Sequence, residues 1–280
     1  MNVKCQFVAV CLSLGLATSA VAASKLPIKK LTQDPKIPPV ELFDAIEQGL
    51  VETTVIAKNS HEANVFVTNK SAATVSIQFP KAVAAVQVLK QLGFGQPPNG
   101  RGNGGVGNNG PGGAQSQPVA GGQVGANGNQ NGPGANMNTI GNGFPNGNGN
   151  GVFSVPPQKT VQVPLMTVCL AHGKPEPRAR QKYQLVKLET YSSDPVLHET
   201  IQLFVSGATD AETAQAAVWH LTDKMSWDDL HAKQIDRLSL DPVPYFGEGK
   251  VDAAKELIQQ AQDKVKETPR KVETASRRRE

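Results

Sequence analysis

Three short stretches early in the chain, Val51 to Ala57, Ala63 to Asn69 and Thr74 to Phe79, are rich in β-branched residues and alternate along their length, as in Val65 and Val67 against Phe66 and Thr68. A period of two sends successive side chains to opposite faces, so these stretches predict strands. Asn59-Ser60 and Asn69-Lys70-Ser71 punctuate them as turns, which predicts an antiparallel meander. Ala82 to Leu89, Val152 to Val155, Lys159 to Val163, Leu165 to Leu170 and Lys182 to Leu188 continue the pattern. Pro156, Pro157 and Pro164 interrupt it, and proline belongs at sheet edges, strand starts or bulges. The fold class this predicts is α+β: an antiparallel β-sandwich over residues 39–190, followed by a helical unit over 191–266.

The helical unit is announced by a change of period. Asp194-Pro195 predicts an N-cap with proline at the first helical position, Leu197, Ile201, Phe204 and Val205 share a face, and Gly207 is a stop. Thr209 to Glu212 predicts a capping box before a stripe of Ala211, Ala214, Val218 and Leu221. Ser226-Trp227-Asp228-Asp229 opens a third helix. Val251, Ala254, Ile258, Ala261 and Val265 predict a fourth from Lys250 to about Lys266. Ahead of the strands, Glu41, Asp44 and Glu47 face away from Leu42, Ile46 and Leu50 in an amphipathic segment.

Composition changes the domain count that 280 residues would suggest. From Gly93 to Gly151 lie 21 of the 27 glycines, and no charged residue occurs between Gly102 and Gln158. Such a stretch offers too little apolar surface to offset its ordering entropy, so 93–151 is expected to be a disordered Gly/Asn-rich loop inserted in the sandwich. Lengthening a turn from about seven to about sixty residues costs on the order of 2 kcal/mol. Deletion of Gly100 to Gly149 is therefore expected to leave the fold intact. The loop's GxGxxG-like strings neither follow a strand nor open a helix, which removes a nucleotide-binding reading.

The N-terminus has a short basic start, an apolar run from Phe7 to Ala17 and the small-x-small string Ala20-Val21-Ala22. This layout predicts a signal peptide over 1–22 and a linker over 23–38, hence an exported protein, periplasmic or extracellular. Nothing later predicts a transmembrane segment in the mature chain. Cys5 and Cys11 fall in the leader, leaving Cys169 alone, so no internal disulfide is expected. The chain carries a net charge of +4, and from Lys264 onward seven basic residues face three acidic ones. The basicity is thus a property of a tail, 267–280, expected to be disordered. Arg277, Arg278 and Arg279 are its candidates for contact with an anionic surface polymer; nucleic acid is not expected as a partner outside the cytoplasm.

Candidate chemistry centres on Cys169 and His172. They are suitable residue types for a thiolate and its base, or for part of a metal site. On a strand, however, alternation sends Cys169 and Ala171 to one face and Leu170 and His172 to the other, so the pair diverges unless the strand ends between them. No catalytic residue, cofactor or metal is assigned. His198, His220 and His231 lack metal-pair spacing and read as packing, with Trp219 and Trp227 at a helix junction; His61 reads as solvated. Asp228 and Asp229 suit the first turn of a helix, and no Gly-x-Ser-x-Gly or Ser-x-x-Lys string occurs.

The strings VPLMTVCLAHGKPEPRA and AETAQAAVWHLTDKMSWDDL resemble a pattern in secreted, uncharacterised proteins of planctomycete-type bacteria. The resemblance spans roughly Ala45 to Lys233 without the Gly/Asn loop. Ala171 departs from it, since a glutamate is expected before the histidine. It implies export and a β-rich region followed by helices, and it implies no activity. The expectation is thus a non-enzymatic protein with a structural or interaction role in the cell envelope or extracellular space, its partner an envelope protein or an anionic surface polymer. The alternatives are a thiol- or metal-dependent enzyme centred on Cys169 and His172, and a polymer binder acting through the basic tail.

Overall fold

The structure, a computed structural model, describes residues 26–88, 116–123, 151–238 and 240–277, with side chains through 267. The predicted leader and most of the Gly/Asn-rich stretch lie outside these residues. In chain order the elements are β1 (Pro39–Glu41), α1 (Leu42–Glu47), β2 (Val51–Ala57), β3 (Glu62–Asn69), β4 (Val75–Gln78), β5 (Val83–Gln87), β6 (Val119–Gly122), β7 (Val152–Val155), β8 (Thr160–Cys169) and β9 (Tyr183–Lys187). There follow α2 (Leu188–Tyr191), α3 (Pro195–Val205), α4 (Ala211–Asp223), α5 (Trp227–Ala232), β10 (Gln234–Arg237), β11 (Leu240–Pro244) and α6 (Lys250–Arg277).

The mixed α+β class holds, but the sheets do not form a sandwich. Six antiparallel strands close into a barrel in the order β2-β3-β8-β6-β5-β9, with β9 returning to β2 through the pair Val55 and Tyr183. β1, β4 and β7 form a separate three-stranded sheet, and β10 pairs only with β11. Alternation along β3 sends Ala63, Val65 and Val67 into the barrel, where Val55, Val163, Leu165, Val119 and Leu185 meet them. Ile77, Phe153 and Val155 of the three-stranded sheet join the same core, together with Leu42 and Ala45 of α1.

The inserted segment is the main departure from expectation. Residues 116–123, inside the stretch expected to be a disordered loop, carry β6, and all four of its residues are buried. β6 lies between β5, through the pairs Val83 with Gly121 and Ala85 with Val119, and β8, through Val119 with Cys169 and Gly122 with Met166. The flanks of the insertion also diverge, since β5 is in the barrel and β7 is not. The glycines here serve close approach and not flexibility. A Cβ on Gly121 would fall 1.8 Å from the carbonyl oxygen of Met166, and one on Gly122 would fall 2.2 Å from that of Lys81. Deleting Gly100 to Gly149 would therefore remove a barrel strand.

Pro164 does not break the sheet; β8 is one strand of ten residues. Gln162 N–H donates to Ile28 O and Thr167 N–H to His61 O, so even-numbered N–H groups of β8 face away from β3. The missing N–H of Pro164 falls between the bridge of Ile28 to Val161 and the first β6 pair at Met166, where no strand needs it. The predicted linker over 23–38 is in part structural, because Ile28 makes that bridge, Ser154 N–H donates to Thr32 O, and Leu31 is buried in the core.

The helices dock on the barrel. Leu197, Ile201, Phe204 and Val205 of α3, with Ala214 and Val218 of α4, cover Ala84, Ala120, Val168 and Leu170, the outward side chains of β5, β6 and the end of β8. Asp194 caps α3 with Pro195 following, and Ser226 with Asp229 makes the capping box of α5, as predicted. The cap of α4 is Asp210, one residue later than predicted. Thr213 through Trp219 of α4 are all buried, because the barrel lies on one side and α6 on another; a single apolar stripe describes a helix covered once. α6 runs to Arg277 and includes most of the tail expected to be disordered, with Pro269 unable to donate to the carbonyl of Val265. The hairpin of β10 and β11 was not predicted.

Gly121→Ala is expected to lower the unfolding free energy by at least about 2 kcal/mol, read as a fall in the urea midpoint. A midpoint equal to that of the wild type would show that β6 does not close the barrel.

Candidate functional site

Cys169 ends β8 with its side chain inside the barrel, 1% exposed. β3 has run out by this point, so the N–H and C=O of Cys169 on that side have no strand to pair with. The buried amide of Gln215 on α4 supplies both partners: Cys169 N–H donates to Gln215 Oε1 (2.7 Å), and Gln215 Nε2 donates to Cys169 O (2.9 Å). One side chain thus stands in for a strand and pins α4 to the barrel. Burial, and then the nearby charge of Glu176, push the Cys169 thiol up to about 12. At neutral pH it is a protonated core residue and not a nucleophile.

His172 lies past the strand end, on the other side of the divergence. Its N–H donates to the Asp223 carboxylate (3.0 Å), and its ring stands edge-on to Trp219 at 4.8 Å. The Lys233 ammonium donates to His172 Nε2 (2.8 Å) and also lies over the rings of Trp219 (5.4 Å) and Tyr245 (5.0 Å). Desolvation, and then the Lys233 charge, lower the His172 pKa against the opposing pull of Asp223. No hydrogen bond links Cys169 to His172. β8 ends at Cys169 and His172 lies in the turn beyond it, so strand alternation does not set their relation; Gln215 holds Cys169 on one side, and Asp223 and Lys233 hold His172 on the other.

The other histidines have separate partners. His198 Nε2 donates to Ser192 O (2.7 Å), His220 Nδ1 donates to Met225 O (2.8 Å) while stacking on Trp227 at 4.0 Å, and His231 lies 3.4 Å from Asp252. His61 contributes its backbone, donating to Asn59 and accepting from Thr167. Among the described residues no group of three or more His, Cys, Asp or Glu could hold a metal, and no helix is long and apolar enough to cross a membrane. Arg277 is the last residue of α6, its side chain outside those described, and Arg278 and Arg279 lie outside the described residues. A cleft of about 380 Å³ beside α1 is faced by the carboxylates of Glu41, Asp44 and Glu189 and by Lys81 and Lys187, so charges of both signs line it.

Residues that sequence reasoning missed are those of the hairpin. Ile235, Leu238 and Leu240 are 43%, 96% and 63% exposed, on a two-stranded ribbon that pairs with no other strand. Their signal was present as three aliphatics within six residues, broken up by Asp236, Arg237 and Ser239. No protein-family model matches the chain, nor does any curated protein or solved structure.

Replacing Gln215 by Leu leaves two buried backbone groups of Cys169 unpaired and is expected to cost about 2–4 kcal/mol in a denaturant titration. A thiol reagent is expected to leave Cys169 unmodified in the folded chain and to label it fully in denaturant; stoichiometric labelling of the folded chain would contradict its placement. The His172 imidazole is expected to titrate by NMR below the ordinary value of about 6.5. The unfolded chain then takes up that proton first, so stability falls as pH drops from the ordinary value through the lowered one, and His172→Gln reduces that fall.

Proposed function

We propose that the chain is a non-enzymatic interaction protein of the cell envelope or extracellular space, and that the β10–β11 hairpin is its contacting element. The observation that carries this reading is the exposure of Ile235, Leu238 and Leu240 on a ribbon that pairs with no other strand among the described residues. A two-stranded ribbon is marginal in water by itself, and clustered exposed aliphatics are a feature of contact surfaces. The body holds the ribbon's base: Tyr245 N–H donates to Lys233 O (2.9 Å), and Lys233 and Tyr245 belong to the aromatic group around Trp219. The His172 and Lys233 contact therefore acts as a bracket for the ribbon and needs no chemical role.

The two edges of the ribbon differ. The bond from Tyr245 to Lys233, with the register of Ile235 on Val243 and Gln234 on Pro244, turns the nitrogen of Pro244 outward. β11 also contains Pro242, so neither residue has an N–H to offer an added strand, whereas β10 contains no proline. A partner strand is accommodated along β10 and refused along β11. The export signal read from residues 1–22 supports the compartment, and the buried, protonated Cys169 weakens the thiol-enzyme alternative.

The triple substitution I235S/L238S/L240S is expected to leave the melting temperature within about 2 °C, because these side chains contribute little to the core. The same change is expected to shift the protein from the sedimented envelope fraction to the supernatant. Unchanged fractionation of a folded variant would remove the hairpin from this role.

A further inference from the structure

β6 is attached to the barrel unlike any other strand. The segment 116–123 is preceded by 27 residues, 89–115, and followed by 27 more, 124–150, that lie outside the described structure. The remaining five strands form one continuous ladder without it, β5-β9-β2-β3-β8. Taking β6 away opens a single seam, and its two walls, β5 and β8, stay connected through the rest of the sheet.

The seam reads its occupant closely. Val119 enters the barrel core, and the backbone of Gly121 and Gly122 passes so near Met166 and Lys81 that no side chain fits at either position. Polar anchors hold the entering end: Ser116 N–H donates to Gln87 Oε1 (2.5 Å), Gln117 Nε2 to Lys174 O (2.8 Å), and Gln117 N–H to Pro175 O (3.0 Å). Tyr183 O–H donates to Gln117 O (3.2 Å), and Leu170 N–H to Pro118 O (2.8 Å). None of these contacts requires that donor and acceptor belong to the same molecule.

We propose that this seam is a strand-exchange site in which Ser116–Gln123 of a second copy replaces the chain's own β6, linking copies of the protein. Exchange preserves every contact within the seam, so the balance is set by concentration. A strand joined to its neighbours through 27 residues on either side has an effective local concentration on the order of 1 mM, so exchange competes when chains are held at comparable density. The double-glycine requirement excludes most unrelated strands and makes the same segment of another copy the fitting occupant. This names a partner for the interaction role proposed above but uses a different part of the molecule, and it stands or falls apart from the hairpin.

Substituting Val119→Cys provides the test. Val119 and Cys169 are direct cross-strand partners, and the neighbouring bond from Leu170 N–H to Pro118 O makes theirs a pair without mutual hydrogen bonds. Such pairs have Cα atoms about 4.5 Å apart, within disulfide range. In a background with Cys5→Ser and Cys11→Ser, the chain is refolded and oxidised over a series from about 1 μM to about 1 mM, which spans the effective local concentration, and is run on non-reducing gels. The expected result is an internally bonded monomer at the dilute end and reducible dimers and larger species that increase with concentration. A monomer at every concentration would overturn the proposal. If the variant does not fold, a Gly121→Val chain, whose own strand cannot enter the seam, is titrated with a fluorescent peptide of residues 114–125. Saturable binding at one per chain is expected, with none for the peptide carrying Gly121→Val; absence of binding to the folded chain would overturn the proposal. Adding I235S/L238S/L240S to the disulfide variant is expected to leave the ladder unchanged, and its loss would assign linkage to the hairpin instead.

Discussion

A curled sheet has to meet itself, and in this protein the meeting place is the seam between β5 and β8. The facing backbone groups of those strands need a third strand between them, and the space admits one only where the chain has no side chains to accommodate. Gly121 and Gly122 meet that condition against Met166 and Lys81. The rest of the molecule is arranged around the closed seam. Ala84, Ala120 and Val168 form a continuous small-residue surface across β5, β6 and β8, on which Ile201 and Phe204 of α3 and Ala214 and Val218 of α4 settle. Gln215 then fastens the helical layer to the strand end at Cys169. Barrel and helices are one construction, because Ala120 of β6 completes the surface on which the helices rest.

Much of this was legible in the sequence, and the misses share a cause. Alternation located β2, β3 and β7 to within a residue, since their side chains do alternate between core and exterior. Asp194-Pro195 and Ser226 were readable because a cap is a local arrangement of neighbouring residues. Alternation does not specify a strand's partner, however, and a sandwich and a barrel use the same periods. β6 was invisible because Val-Ala-Gly-Gly in a run of glycine and asparagine has the composition of disorder. Its glycines answer to the atoms of Met166 and Lys81, more than 40 residues away on either the N- or the C-terminal side. α4 was read as covered on one side because the docking of α6 behind it is not encoded within α4.

The two residues with chemically suitable side chains, Cys169 and His172, are each engaged by packing and hydrogen bonds. Cys169 is packed in the barrel core with both of its free backbone groups bonded to Gln215, and burial pushes its thiol up to about 12. Burial, and then the Lys233 cation that it accepts from, lower the His172 pKa, and the same cation lies on the aromatic faces of Trp219 and Tyr245. The contacts proposed above use other parts of the molecule, a ribbon that displays aliphatic side chains to solvent and a strand that another copy can supply.

The prolines of β11 bear on what the ribbon can build. A β-ribbon with two open edges adds strands on both sides and has no reason to stop, which is how sheets grow into fibrils. With Pro242 and Pro244 on one margin, the ribbon has a valence of one for the strand partner proposed above: β10 has the N–H groups to pair with it, and β11 lacks two of them. An exposed and apolar ribbon is thereby kept from extending a sheet along both of its own edges.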